Sequence, residues 1–217
     1  MKVIITGATG MVGEGLLHVC LNARNITEVL IINRKPYGLT HSKLKEIIHQ
    51  DFFDFSPIES QLGGYDACFF CLGVSSVGMA KPKYFELTYT LTTHIASVLA
   101  KHNPNMAFCY VSGAGTDTAE KGSGWAAVKG KTENEIFTLF KNGYAFRPAF
   151  IKPMEGMKHT HNFYKYINWL FPIGRTIYKS AFCSMKELAN AMIVVASDGY
   201  SKKVLEGDDI IYLGKNK

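Results

Sequence analysis

The stretch KVIITGATGMVG, from Lys2 to Gly13, is the part of the sequence that determines the predicted fold. A short apolar run leads directly into a loop with three evenly spaced glycines, and helical periodicity follows from about Gly10 to Leu21. Between a strand and a helix, this spacing permits a tight turn at Gly7, close approach of the Gly10 backbone to a ligand, and close helix–strand packing at Gly13.

Such a loop predicts a dinucleotide site. The amino terminus of the following helix offers unpaired N–H groups and a partial positive charge, and both favour a pyrophosphate. We therefore expect a cofactor to contact the loop at Gly7, Thr9, Gly10, Met11 and Val12. A glycine-rich turn with a purely structural role is the alternative.

Outward from the loop, short apolar runs alternate with helical segments, which is typical of βαβ units. The predicted strands are Lys2–Thr6, Glu28–Asn33, Glu46–His49, Ala67–Leu72, Met106–Ser112, Gly143–Arg147 and Ile210–Leu213. The later predicted helices cover about Tyr84–Lys101, Trp125–Lys141 and Met185–Ala196. The first four runs are apolar on both faces, as in strands covered by helices on each side. The predicted fold is α/β: a doubly wound, Rossmann-type parallel sheet in three α/β/α layers, with ligands at the carboxyl ends of the strands.

Composition and length limit the possible classes of protein. Of 217 residues, 47% are hydrophobic and 19% are charged, and no linker or repeat divides them, so we expect one domain, residues 1–217, with a small C-terminal substrate lobe. No apolar run reaches the roughly 18 residues of a membrane span, and none resembles a signal peptide, so we expect a cytoplasmic protein without a membrane partner. The net charge of +6 is scattered rather than striped, which argues against nucleic acid as a partner.

The five cysteines have no disulfide-scaffold spacing. Cys68 and Cys71 form a C-x-x-C pair, but within a buried strand their thiols point to opposite faces. We predict no metal site.

The residues after the second strand bear on the choice of dinucleotide. NAD sites carry an acidic residue there for the ribose 2′-hydroxyl. This chain has Asn33, Arg34 and Lys35 instead. Two cations would attract a 2′-phosphate there, and no carboxylate would repel it. The sequence favours NADP over NAD; a pair of surface cations in a turn is the alternative.

Two further positions are predicted from strand ends. Asp51 and Phe52 follow the third strand, where the carboxylate can accept from the exocyclic amine of adenine and the ring can pack on the base. Cys71, Leu72 and Gly73 end the fourth strand, where small residues let the chain pass beneath the cofactor.

Four motifs together carry a resemblance to a known family. They are Thr6–Gly13, then Tyr110–Gly113, then Lys129 with the Gly-Lys-Thr-Glu run to Glu133, then Arg147-Pro148. In this order they resemble the extended and atypical short-chain dehydrogenases/reductases, in particular the short, epimerase-like NAD(P)-binding members. The resemblance covers about residues 1–150 and is specific to the superfamily rather than to a substrate.

The resemblance implies roles for several residues. Ser112 matches a serine that hydrogen-bonds the reacting carbonyl or alcohol, and Lys129 matches a lysine that holds the nicotinamide ribose and lowers the pKa of a catalytic tyrosine. Trp125 occupies the position of that tyrosine, and an indole N–H does not exchange its proton near neutral pH. Backbone groups after the sixth strand would hold the nicotinamide amide, at Pro148, Ala149 and Ile151.

Three possibilities follow from Trp125. The protein can be a reductase that uses a different proton donor, or a degenerate member that binds NADP as a regulator or interaction module. The third possibility is that the alignment of this chain with the family motif is shifted by some residues. The Gly-Lys-Thr-Glu run after Lys129 disfavours the shift. We expect an NADP-dependent oxidoreductase or epimerase-like enzyme for a small carbonyl or alcohol; the non-catalytic NADP-binding module is the alternative. Relatives often pair through the helices near Tyr84–Lys101 and Trp125–Lys141, which implies a possible homodimer.

The stretch from Lys152 to Cys183 is expected to cover the substrate. Its histidines and aromatic residues are His159, His161, Phe163, Tyr164, Tyr166, Trp169 and Phe171. The two histidines have no nearby acidic or cysteine ligand, so we expect the aromatic residues to form lid and core rather than a metal or ligand cage.

Overall fold

The structure is a computed structural model that describes residues 1–122, 124–158 and 171–215. Its strands are β1 Lys2–Thr6, β2 Glu28–Asn33, β3 Leu44–Ile48, β4 Ala67–Phe70, β5 Ala107–Val111, β6 Asn142–Arg147, β7 Phe150–Lys152, β8 Phe182–Ser184 and β9 Val204–Glu206. Its helices are α1 Met11–Asn22, α2 Lys81–Phe85, α3 Leu91–His102, α4 Trp125–Leu139, α5 Phe171–Ile177, α6 Met185–Asp198 and α7 Gly207–Lys215.

Seven parallel strands form the main sheet in the order β3-β2-β1-β4-β5-β6-β9. Strand β1 is the third of the seven, and its Val3 is paired with Val29 of β2 and Ala67 of β4. The chain order reverses between β1 and β4, so a crevice for a ligand forms at the carboxyl ends of these two strands.

Alternate side chains of β1 enter two separate cores, which explains why the run is apolar throughout. Val3 and Ile5 pack in one core with α1, α6 and α7, whereas Ile4 packs in the other with α3 and α4. All three side chains are fully buried. Helices therefore cover both faces of a parallel sheet, and the predicted three-layer Rossmann-type fold is confirmed.

The predicted strand at Ile210–Leu213 is wrong: this segment belongs to α7, and the last strand of the sheet is β9. Ile210, Ile211 and Leu213 are buried while Tyr212 is 64% exposed, a spacing that fits one face of a helix. A run of four residues is too short to separate the two periodicities. Two aspartates in the first turn, at positions 208 and 209, favour the helix.

Two features were not predicted. The helix expected from Tyr84 starts at Lys81 and contains a π-helical turn at Glu86–Thr90 before α3. Strands β7 and β8 pair in parallel as a separate two-stranded sheet beside the main one. Within the parts of the chain that the structure describes, no helix has the length and apolar character needed to cross a membrane.

Candidate cofactor and active site

The glycine loop after β1 is packed so closely that two of its glycines leave no room for a side chain. Gly7 has a φ of 71°, and a Cβ there would lie 2.7 Å from the carbonyl oxygen of Cys71. At Gly13 a Cβ would lie 2.1 Å from the carbonyl oxygen of Gly7. The first contact sets the loop against the end of β4, and the second sets α1 against the loop.

The loop ends in a helix terminus without a side-chain cap. Gly10 precedes the first residue of α1, and its carbonyl accepts from the backbone N–H of Glu14 at 2.8 Å. Thr9 and Gly10 are exposed, while Met11 and Val12 are half-buried. The first N–H groups of a helix have no partner inside the helix, so this terminus fits an anionic group such as a pyrophosphate.

A groove of about 310 Å³ lies at the carboxyl ends of β2, β3 and β4, and the backbone of Leu72 in its wall lies close to Gly7 of the loop. It brings together residues predicted from three separate strand ends, namely Arg34, Asp51, Phe52, Leu72 and Gly73. Leu87 of the π-helical turn and Leu91 of α3 add an apolar wall that the sequence did not indicate. An apolar slot with one carboxylate and one guanidinium fits an adenosine with a charged substituent.

Asn33 is buried, whereas the two cations that follow it are exposed. Nδ2 of Asn33 donates to Oε1 of Glu46 at 2.9 Å. The same oxygen accepts from the backbone N–H of Tyr37 at 2.9 Å, so Glu46 organises the turn. Arg34 and Lys35 are exposed, and among the described residues neither side chain forms an ion pair or hydrogen bond.

The side chain of His49 stabilises the turn that carries Asp51 and Phe52 through hydrogen bonds to its main chain. Its Nε2 lies 2.6 Å from the carbonyl oxygen of Asp51 and 2.8 Å from that of Asp54, so this nitrogen carries the proton and donates to both. Oδ1 of Asp51 accepts from the backbone N–H of Phe53 at 2.9 Å. The Asp51 carboxylate therefore has a fixed place at the groove.

At the carboxyl end of β5, Lys129 of α4 reaches the main chain of the strand. Its Nζ lies 3.1 Å from the carbonyl oxygen of Ser112, 3.5 Å from that of Val111, and 5.4 Å from the ring centroid of Tyr110. Burial lowers the pKa of Lys129 to about 8, and the nearby charge of Glu133 opposes this shift.

The hydroxyl of Ser112 already makes a hydrogen bond within the protein. It donates to Oε1 of Glu133 at 2.6 Å, and Glu133 is fully buried. Arg147 also donates to this carboxylate, from Nε to Oε1 at 3.0 Å and from Nη2 to Oε2 at 2.5 Å. Hydrogen bonding to Glu133 raises the pKa of Arg147, which stays a cation. An ion pair at Arg147 was one interpretation of the sequence, but its partner Glu133 was not predicted, although Glu133 ends the run that follows Lys129.

Trp125 is the first residue of α4 and is 40% exposed. Its indole lies against the backbone of Gly115, where an added Cβ would be 3.6 Å from the ring. Trp125 and Lys129 are four residues apart on one helix and therefore share a face.

A glycine that the sequence did not single out fixes the position of α4. A Cβ on Gly130 would lie 1.8 Å from the carbonyl oxygen of Asp117, so the helix touches the loop after β5 backbone to backbone. Asp117 holds that loop by accepting from the N–H groups of Ala119 at 3.0 Å and Gly122 at 2.9 Å. These hydrogen bonds lower the pKa of Asp117.

The segment after β6 runs beside the segment after β5. The carbonyl of Pro148 accepts from the N–H of Ala114 at 3.1 Å, Ala149 is exposed, and Ile151 is buried within β7. Of the three predicted nicotinamide contacts, Ala149 is thus the one that faces solvent beside the crevice.

The described part of the C-terminal lobe has an aromatic cluster. The rings of Phe150, Phe171 and Phe182 lie 5.2–6.2 Å apart, and Lys152 Nζ lies 5.2 Å from the Phe171 centroid. Six predicted lid residues lie outside the described residues: His159, His161, Phe163, Tyr164, Tyr166 and Trp169. Within the described ranges, no three His, Cys, Asp or Glu side chains are grouped to hold a metal.

Comparisons with known proteins identify the family and the fold. The model of the NAD dependent epimerase/dehydratase family matches residues 3–123, more than half of the chain. No curated protein matches it by sequence.

Many solved structures share the fold. MoeE5, in complex with UDP-glucose and NAD, is 14% identical, with a TM-score of 0.66 over 99% of this chain and 81% of its own. UDP-glucuronic acid 4-epimerase from Bacillus cereus, in complex with NAD, is 14% identical, with a TM-score of 0.66 over 94% and 76%. WbmH of Bordetella bronchiseptica, in complex with NAD+, is 18% identical, with a TM-score of 0.64 over 94% and 73%.

Proposed function

The chain belongs to the NAD-dependent epimerase/dehydratase family, and from this premise we propose that it is an NADP-dependent oxidoreductase or epimerase-like enzyme for a small carbonyl or alcohol. The observation that carries the cofactor choice is the turn after β2, where Arg34 and Lys35 are exposed beside the groove. The solved neighbours named above contain NAD, so the preference for NADP rests on these two cations.

The proposed binding mode uses backbone at one end and side chains at the other. The α1 terminus at Gly10 takes the pyrophosphate, and Asp51 with Phe52 takes the adenine. Arg34 takes the 2′-phosphate through two guanidinium donors, and Lys35 adds charge. A nicotinamide held at the carboxyl ends of β4 and β5 would supply or accept hydride there.

The substrate is proposed to lie between Lys129 and the C-terminal lobe. MoeE5 was solved with UDP-glucose, and a sugar-type substrate fits the Phe171 ring with Lys152 beside it. An aromatic face packs on a sugar ring, while an ammonium attracts a phosphate.

The cofactor proposal is tested with Arg34→Asp, with Arg24→Asp as the matched control. Arg24 is an exposed arginine at the opposite end of β2. Loss of charge-assisted hydrogen bonds of about 1.5–3 kcal/mol raises the Kd for NADPH by roughly 10- to 150-fold. Fluorescence titration should show this rise for Arg34→Asp with NADPH, little change with NADH, and no change for the control. Equal affinity of the wild type for NADPH and NADH would overturn the NADP assignment.

A second candidate function is a non-catalytic NADP-binding module. One observation and one prediction favour it: the Ser112 hydroxyl donates to Glu133, and the family resemblance assigns Trp125 to the position of the catalytic tyrosine. NADPH oxidation over a panel of aldehydes, ketones and quinones separates the candidates, once cofactor binding has been measured on the same sample. Turnover supports the enzyme proposal. If the protein binds NADPH but oxidises it with no substrate of the panel, the result supports the non-catalytic module.

A further inference from the structure

The three side chains that the family resemblance assigns to catalysis differ in whether they can give a proton. The Ser112 hydroxyl proton already lies in a 2.6 Å hydrogen bond to the buried carboxylate of Glu133. The indole of Trp125 has an N–H that does not exchange near neutral pH. The ammonium of Lys129 is the third candidate, and it carries three protons.

The position of Lys129 suits proton transfer. Its Nζ lies at the carboxyl end of β5, where the fold places the ligand crevice. The carbonyl oxygens of Ser112 and Val111 account for two of its N–H groups, at 3.1 and 3.5 Å, which leaves one N–H for a further acceptor. We propose that Lys129 itself, rather than an intermediary tyrosine, gives the proton to the substrate oxygen, an inference that rests on the proposed reductase function.

The step balances with NADPH as the reductant. The substrate carbon receives the hydride, the C=O π bond breaks, and the oxygen forms a new O–H bond with a proton from Nζ of Lys129. The products are an alcohol, oxidised cofactor and a neutral amine, and the amine regains its proton from water. In the reverse direction, the neutral amine removes the alcohol proton while hydride leaves.

The charged and titratable groups around Lys129 are compatible with this cycle. Burial lowers its pKa to about 8, whereas Glu133 on the same helix stabilises the ammonium. Arg147 of β6 neutralises Glu133 through two hydrogen bonds. On β5, burial raises the pKa of Tyr110 far above its usual range, so this neighbour stays neutral. A general acid works best when its pKa is near the working pH.

The experiment compares Lys129→Arg with Lys131→Arg, a control two residues further along α4 that lies over Tyr89. General acid catalysis contributes roughly 10²- to 10⁴-fold, so Lys129→Arg should lose at least about 100-fold in reductive kcat at pH 7. Its Kd for NADPH should stay within about threefold, since a cation remains. Wild-type reduction should fall about tenfold per pH unit above a pKa of about 8, and alcohol oxidation should rise through the same pH range.

Chemical rescue separates proton transfer from a structural role. In Lys129→Ala, added primary amines should restore reduction, and the restored rate should depend on the amine pKa. If Lys129→Arg keeps its turnover, or if wild-type reduction is flat between pH 6 and 10, the assignment to Lys129 fails while the reductase stands. If the wild type binds NADPH but reduces nothing in the panel, the reductase proposal fails, and this inference fails with it.

Discussion

The two ends of the crevice hold their motif residues in different ways. At the end near β2 and β3, Arg34 and Lys35 are exposed and form no ion pair with any described residue. At the end near β5 and β6, the Ser112 hydroxyl and the Lys129 ammonium both donate to groups of the protein itself. In the proposed binding mode, cofactor binding at the first end would depend on backbone shape and unpaired charge, whereas chemistry at the second end would depend on the hydrogen bonds that each side chain already makes.

The largest expected effect on the free energy of unfolding comes from removing the ion pair between Glu133 and Arg147, near β5 and β6. Glu133→Ala leaves Arg147 partly buried without its bidentate partner, and breaking such a pair costs about 3–5 kcal/mol. Chemical denaturation should show this loss in the free energy of unfolding. Glu135→Ala, two residues further along α4, is the matched control and should stay within about 0.5 kcal/mol. A loss below 1 kcal/mol for Glu133→Ala would contradict the contrast between the two ends.

An intermediate effect is expected at the phosphate loop. Gly13→Ala forces a Cβ to within 2.1 Å of the Gly7 carbonyl oxygen, and overpacking of this kind costs about 1–3 kcal/mol. The loop must shift, so NADPH affinity should also fall at least tenfold in a fluorescence titration. Gly63→Ala is the control, because no heavy atom lies within 4 Å of a Cβ there. Unchanged affinity in Gly13→Ala would show that the loop does not hold the cofactor.

The smallest effect on stability is expected at Trp125, which is 40% exposed. Trp125→Tyr and Trp125→Phe should each change the free energy of unfolding by about 1 kcal/mol or less. They differ in one hydroxyl, and a phenol can exchange its proton where an indole does not. The proposed proton donor is Lys129, so a hydroxyl at position 125 is not needed, and the two variants should reduce carbonyls at rates within about threefold of each other. A tyrosine variant that is at least about tenfold faster would mean that a phenol at position 125 reaches the reacting oxygen, and it would count against Lys129 as the donor.

The sequence predicted the central part of the fold well, because periodicity is clear where strands are long and buried. Strands β1 and β2 begin and end where the apolar runs do. Prediction was wrong at Ile210–Leu213, where four residues are consistent with a strand and with a helix face alike. The pairing of β7 with β8 was missed because each strand has only three residues.

The candidate site was predictable to the extent that its signals are local. Three distant strand ends, carrying Arg34, Phe52 and Leu72, meet at one groove as the parallel sheet requires. The bond from Ser112 to Glu133 was not predictable, since it joins residues 21 positions apart through the packing of α4. Gly130 shows the same limit: its contact with Asp117 is a consequence of tertiary packing.

The small β7–β8 sheet has a consequence for how such a protein can diversify. Phe150 is paired with Phe182, and Lys152 with Ser184, so the two ends of the intervening chain are held side by side. When the ends of a segment are clamped, doubling its length costs only about 0.6 kcal/mol in closure entropy. In the proposed enzyme, where this insert covers the substrate, an insert of a different length would therefore change the substrate range while the main sheet keeps its sequence.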